Sequence, residues 1–125
     1  KIPDAPKGET SHVPLGTLFG ARSGDKGGCA NLGVWAKDLD AFAFLSSFLT
    51  IEKLKELMPD LKEFKIERFD LPNILSLNFY IHDILEDGVS SNSRKDAQAK
   101  SLGEYLRSRK ANIPSSLLET LNEYG

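Results

Sequence analysis

A single cysteine, Cys29, excludes an internal disulfide and any multi-thiolate metal site. Histidine is almost as scarce: His12 and His82 stand far apart in sequence, so no metal centre and no other cofactor is expected. No apolar run approaches the roughly 20 residues that cross a bilayer, so no membrane partner is expected either. Positive charge is not in excess. The 16 Lys and Arg face 18 Asp and Glu, giving a net charge of −2, so no global basic field attracts nucleic acid or an anionic membrane. The opening residues, Lys1 to Glu9, have the pattern of neither a signal nor a transit peptide. With one thiol in the chain, an intracellular, reducing, cytoplasmic setting is the expectation.

What is present is an ordinary globular composition, 40% hydrophobic and 27% charged over 125 residues, enough for one domain with one core. The most distinctive stretch runs Ala21-Arg22-Ser23-Gly24-Asp25-Lys26-Gly27-Gly28-Cys29, with apolar runs on both sides. Glycine is favoured where φ is positive or where something approaches the backbone closely. The stretch therefore reads as a tight polar loop between two strands, able to aim backbone N–H groups and charged side chains at one spot.

Residues 1–12, with two prolines and no periodicity, read as an extended arm, and 13–125 as the domain. Val13 to Arg22 fits a strand and Ala30 to Ala36 a second. A helical segment runs from Leu39 to Met58, capped by Asp38 or Asp40 and restarted at Thr50. Phe64 to Phe69 and Leu75 to His82 fit two more strands around a turn at Leu71-Pro72-Asn73. After a Gly88 loop, Lys95 to Lys110 reads as a helix with Ala99, Leu102 and Leu106 inward. A short helix from Ser115 to Asn122 follows Pro114. The order ββαββα predicts an α+β, ferredoxin-like two-layer sandwich: a four-stranded antiparallel sheet with two main helices on one face. Leu32, Val34, Leu77, Phe79, Ile81, Leu102 and Leu106 should share its core.

Several of these segments together resemble the small C-terminal domain of the AtuA-like (acyclic terpene utilisation) proteins. They are Leu15-Gly16, Ala21 to Gly27, Ala30-Asn31-Leu32-Gly33-Val34, Leu71-Pro72-Asn73, Leu77-Asn78-Phe79, Gly88-Val89, Arg94, Asp96 and Lys100-Ser101-Leu102-Gly103. The resemblance covers nearly the whole domain and implies a ferredoxin-like fold. It also implies a setting among biotin-dependent acyl-CoA carboxylases and other acyl-CoA catabolic enzymes, of terpenoid or branched-chain type. Three positions depart from the commonest pattern: Gly28 stands where many relatives carry an acidic residue, Cys29 where Thr or Asn is usual, and Gly20 where His or Tyr is frequent.

The candidate ligand-binding residues are Arg22, Ser23, Gly24, Asp25, Lys26, Gly27, Asn31 and Asn78. Arg22 and Lys26 supply charge for a phosphate or carboxylate; alternatively Arg22 pairs with Asp25 and the glycines only make a turn. Asn31 and Asn78 sit mid-strand, where asparagine is disfavoured, and their amides are expected to bond to the Gly-rich loop or to each other. Ser23 and Lys26 match a Ser-x-x-Lys spacing, but that chemistry needs a helical turn. No catalytic residue is assigned. The face opposite the helices would carry Trp35, Tyr80 and His82, which with Arg94 are the candidate interface residues. Two functions follow. One is an accessory or assembly domain that binds an AtuA core, a carboxylase-type partner, a second copy of itself, or an anionic acyl-CoA-like ligand. The other is a small enzyme acting on an acyl-CoA or another anionic metabolite through residues 22–29.

Overall fold

Proline and glycine divide the first apolar run before it can form one strand. The computed structural model describes residues 8–84 and 101–124, and in place of a strand from Val13 to Arg22 it has β1 (Thr10–Pro14), a 3-10 turn (Leu15–Thr17) and β2 (Gly20–Lys26). Pro14 has no N–H with which to extend a ladder. Gly16 lets the chain pass against Arg107, where an added Cβ would meet the Arg107 Cβ at 3.0 Å. Arg107 then clamps the turn, donating from Nη2 to the Gly16 carbonyl at 3.1 Å and from Nε to the Phe19 carbonyl at 3.2 Å. β1 includes Thr10 to His12, so the expected boundary between arm and domain falls inside a strand.

The chain continues through β3 (Cys29–Trp35), α1 (Leu39–Phe48), α2 (Ile51–Leu57), β4 (Ile66–Leu71) and β5 (Ser76–Ile81). A helix, α3, occupies residues 101–108, followed by β6 (Lys110–Pro114) and α4 (Ser115–Tyr124). Strands β2-β3-β5-β4 form the expected four-stranded antiparallel sheet, two hairpins joined through their inner strands. The expected order ββαββα is embedded in a longer one, because β1 and β6 form a second, two-stranded antiparallel ladder. The last long helix accordingly stops at 108 rather than 110. In β6, Ala111 and Ile113 are buried while Lys110 and Asn112 are exposed, an alternation of period two that suits a strand. The expected Gly88 loop, Ser90 to Ser93, Arg94, Asp96 and Lys100 lie outside the described residues.

β3 and β5 explain the core. Ala30, Leu32 and Val34 alternate with Asn31 and Gly33, and Leu77, Phe79 and Ile81 alternate with Asn78 and Tyr80. All seven expected core residues are buried in one apolar cluster, with Phe42 and Leu45 of α1 and Leu54 of α2. Of the two residues expected to cap α1, Asp38 does so, its Oδ1 accepting from Ala41 N at 2.9 Å, and Thr50 caps α2 as expected, its Oγ1 accepting from Lys53 N at 3.0 Å. Each stabilises its helix by about 1 kcal/mol. Arg68 closes the gap between α1 and α2, donating from Nη1 to the Leu49 carbonyl at 3.0 Å and from Nη2 to Ser46 Oγ at 3.2 Å. Its Nε also donates to Asp70 at 2.7 Å, and these Arg68 bonds hold the Asp70 carboxyl below its ordinary value.

Candidate functional site

The glycine-rich stretch is a hairpin rather than a loop. β2 runs through Lys26, which pairs with Cys29, and only Gly27 and Gly28 turn the chain. Gly27 has φ of 54°, the positive value that a two-residue hairpin turn demands at its first position. Residues 23–26 therefore lie in a strand paired with β3, which corrects the expectation of N–H groups converging in a loop. Two glycines suffice for the reversal, and the others have different uses.

Strand geometry separates residues that the sequence lists side by side. Arg22 and Gly24 share one face of β2, while Ser23 and Asp25 take the other. Arg22 and Asp25 are thus on opposite faces, and no ion pair joins them. Ser23 Oγ accepts the Gly103 N–H at 2.9 Å. A Cβ on Gly103 would lie 3.2 Å from the Ala21 carbonyl carbon and oxygen and from Arg22 Cα, so α3 crosses β2 almost at backbone contact. Ser23 is the pin that holds this crossing, and in a strand the turn required by Ser-x-x-Lys chemistry is absent. The sequence alone did not point to Gly103 as its partner.

The face that carries Arg22 continues across the sheet in register. Arg22 lies opposite Gly33, Gly33 opposite Asn78, and Asn78 opposite Phe69. The next row is Gly24, Asn31, Tyr80 and Glu67; on the other side are Gly20, Trp35, Ser76 and Leu71. The Trp35 indole lies over Gly20, where any Cβ would come within 2.3 Å of the ring. Beside it, Arg22, Ser23, Gly24, Asn31, Gly33 and Trp35 line a concavity of about 250 Å³. Arg22 is exposed and has no acidic partner among the described residues. Asn31 and Asn78 are half-buried, and among the described residues no hydrogen bond joins their amides to the hairpin or to each other. Their Oδ1 atoms lie over the glycines, 3.6 Å from a Cβ built at Gly24 and 3.9 Å from one built at Gly33.

At the other end of this face the Cys29 thiol stands near the Tyr80 hydroxyl. That contact, with smaller contributions from Glu67 and Asp83, pushes the phenol above its usual value of 10.0. His82 Nε2 lies 2.9 Å from Glu67 Oε1, and the Tyr80 and His82 rings meet edge to face at 4.8 Å. Tyr80 and His82 are therefore engaged and half-buried, whereas Trp35 is 43% exposed. Phe69 at 48% and Leu71 at 41% lie on the same face and were not expected there. Their signal is the alternation of β4, Glu67-Phe69-Leu71 against Ile66-Arg68-Asp70, in a strand that begins two residues later than the sequence suggests. His12 is placed beside Asn112 in the other ladder, its Nδ1 3.1 Å from Oδ1. Among the described residues no three His, Cys, Asp or Glu side chains are placed to hold a metal ion, and no helix is long and apolar enough to cross a membrane.

These features define a small α+β domain on an antiparallel sheet, one face of which has a glycine floor with a guanidinium and two carboxamides that find no side-chain partner among the described residues. The chain belongs to the AtuA ferredoxin-like domain family, whose model matches residues 13–112. Neither curated proteins nor solved structures gave a match.

Proposed function

We propose that this domain is an accessory binding module whose open sheet face receives an anionic group at Arg22. The observation that carries the reading is an exposed arginine, without an acidic partner among the described residues, at the rim of a concavity with a glycine floor. The layering supports it: α1, α2 and α3 contribute to one apolar cluster with the Leu32 and Phe79 side of the sheet, as a ferredoxin-like sandwich does. Within the setting that the family resemblance implies, the anion is the acidic part of an acyl-CoA-like metabolite or of a partner protein. At about 250 Å³ the concavity is below the usual 300–1,000 Å³ of a small-molecule pocket, so it holds one end of such a ligand and not a whole coenzyme.

Thermal denaturation in the presence of carboxylates, phosphate and CoA thioesters tests this. A ligand near 100 times its Kd adds roughly 2.7 kcal/mol of stability. Arg22→Ala should keep its own stability within about 0.5 kcal/mol, as surface changes do, and lose the ligand-induced gain. An Arg22→Ala protein that responds to anions as the parent does refutes the reading.

A second reading has its own observation. Trp35, Phe69 and Leu71 expose apolar surface on this face, which a second copy or a partner subunit would cover. Light scattering on the eluting protein at micromolar concentration decides for or against self-association.

A further inference from the structure

Asparagine is an odd choice for the middle of two central strands unless its amide has work to do. A carboxamide offers both donors and an acceptor, and here two of them, on neighbouring strands and half-buried, make no hydrogen bond among the described residues. Asn78 is aligned with Gly33 and Asn31 with Tyr80, so the two amides are diagonal neighbours on one face. Between them and β2 the floor is glycine, Gly24 and Gly33, which lets a ligand lie directly on the backbone. Arg22 stands across Gly33 from Asn78, and Trp35 bounds the concavity with an apolar wall.

We infer that this face recognises a carboxylate placed one carbon from a secondary amide, the chemistry of an N-acyl amino acid and of a polypeptide C-terminus. The inference rests on the anion-binding role of Arg22 and specifies its ligand. Arg22 takes the carboxylate as a paired, charge-assisted contact. The ligand amide, with one N–H and one C=O, satisfies the donor and acceptor halves of the asparagine carboxamides together. An anion with only acceptor oxygens would use the donor halves and leave half-buried carbonyl oxygens unmet, which is unfavourable. Size agrees: about 250 Å³ corresponds to roughly eight water volumes, the scale of a molecule with eight to twelve non-hydrogen atoms.

The test uses three matched small molecules and the chain's one tryptophan, Trp35, whose emission reports on the concavity directly. N-acetylglycine carries both groups. In 4-oxopentanoate a CH2 replaces the amide N–H, and in N-acetylglycinamide the charge is removed. Fluorescence titration should give N-acetylglycine the tightest binding, with each analogue weaker by about tenfold, the effect of one hydrogen bond or more. Asn31→Leu and Asn78→Leu should each remove the preference over 4-oxopentanoate while keeping the fold and the residual affinity for carboxylates. A blocked alanine tetrapeptide with a free C-terminus separates the two sources. Tighter binding than N-acetylglycine points to a polypeptide end, and weaker binding to a small metabolite. If 4-oxopentanoate or inorganic phosphate binds as well as N-acetylglycine, and Arg22→Ala abolishes both, the amide recognition is wrong while the anion site stands. If no carboxylate or phosphate binds and Arg22→Ala changes nothing, both fall.

Discussion

Replacing Gly103 by alanine puts two opposing effects against each other in the place where α3 meets β2. In a helix, alanine is favoured over glycine by about 1 kcal/mol, so propensity alone says that the substitution stabilises. The structure says otherwise. The new Cβ would stand 3.2 Å from three backbone atoms of Ala21 and Arg22, and backbone cannot turn aside as a side chain can. Overpacking of this kind costs about 1–3 kcal/mol. Moving the helix away to relieve it lengthens the 2.9 Å bond from Gly103 N to Ser23 Oγ and forfeits another ~0.5–1.5 kcal/mol. The net expectation is a loss of about 0.5–3.5 kcal/mol, a shift of several degrees in Tm for a domain of this size. Urea denaturation of the parent, Gly103→Ala, Ser23→Ala and the double variant measures it. The two single losses should sum to more than the loss of the double variant, because both act on one contact. A Gly103→Ala protein as stable as the parent, or more so, would mean that α3 does not lie against β2, and Ser23 would lose its structural assignment.

Two further outcomes follow from the described geometry. Gly27→Ala forces a Cβ into the left-handed region at φ of 54°, so chemical denaturation should report a loss of about 1–2 kcal/mol with the ligand response intact. Asp70 has its carboxyl lowered by the bonds from Arg68, so its ionised form favours the fold. That contribution is complete above the unfolded value near 3.9 and is lost as pH falls through the lower folded value. The carboxyl is 45% exposed and screened, which limits the effect to below about 1 kcal/mol. Denaturation midpoints measured from pH 6 down to pH 2 should fall less steeply for Asp70→Asn than for the parent.

The parts of the molecule legible in the sequence are those governed by neighbours along the chain. The alternation in Ser76 to Ile81, the caps at Asp38 and Thr50, and the common core of Leu32, Phe79 and Leu106 all depend on local period or local hydrogen bonds. What was not legible depends on partners distant in sequence. β1 and β6 are five-residue strands that among the described residues pair with each other alone, so neither has a local signal strong enough to stand against proline or an adjoining helix. Ser23 looks like a loop hydroxyl until Gly103 supplies its donor. Gly20 looks like one more flexible residue until Trp35, its partner in β3, is seen to occupy the space above it. The stretch 21–29 is distinctive in the sequence, but a strand sends alternate residues to opposite faces. Ser23 therefore belongs to the packing under the sheet, while Arg22, Gly24, Asn31 and Asn78 belong to the surface above it.

The β1–β6 ladder bears on how the chain acquires its shape during synthesis. Thr10 pairs with Pro114 and Pro14 with Lys110, and the contact is extended by Leu15 N to the Arg109 carbonyl at 2.8 Å and Ser115 N to the Glu9 carbonyl at 2.9 Å. Closing a loop of roughly 100 residues carries an entropic cost on the order of 4 kcal/mol, which few contacts recover until the four-stranded sheet has shortened the effective distance. β1 emerges from the ribosome before every other described element and is the last to gain a strand partner. A nascent chain halted before residue 110 has every strand of its central sheet but not the partner of β1, so that strand's edge is unsatisfied in the form that chaperones and neighbouring nascent chains would meet.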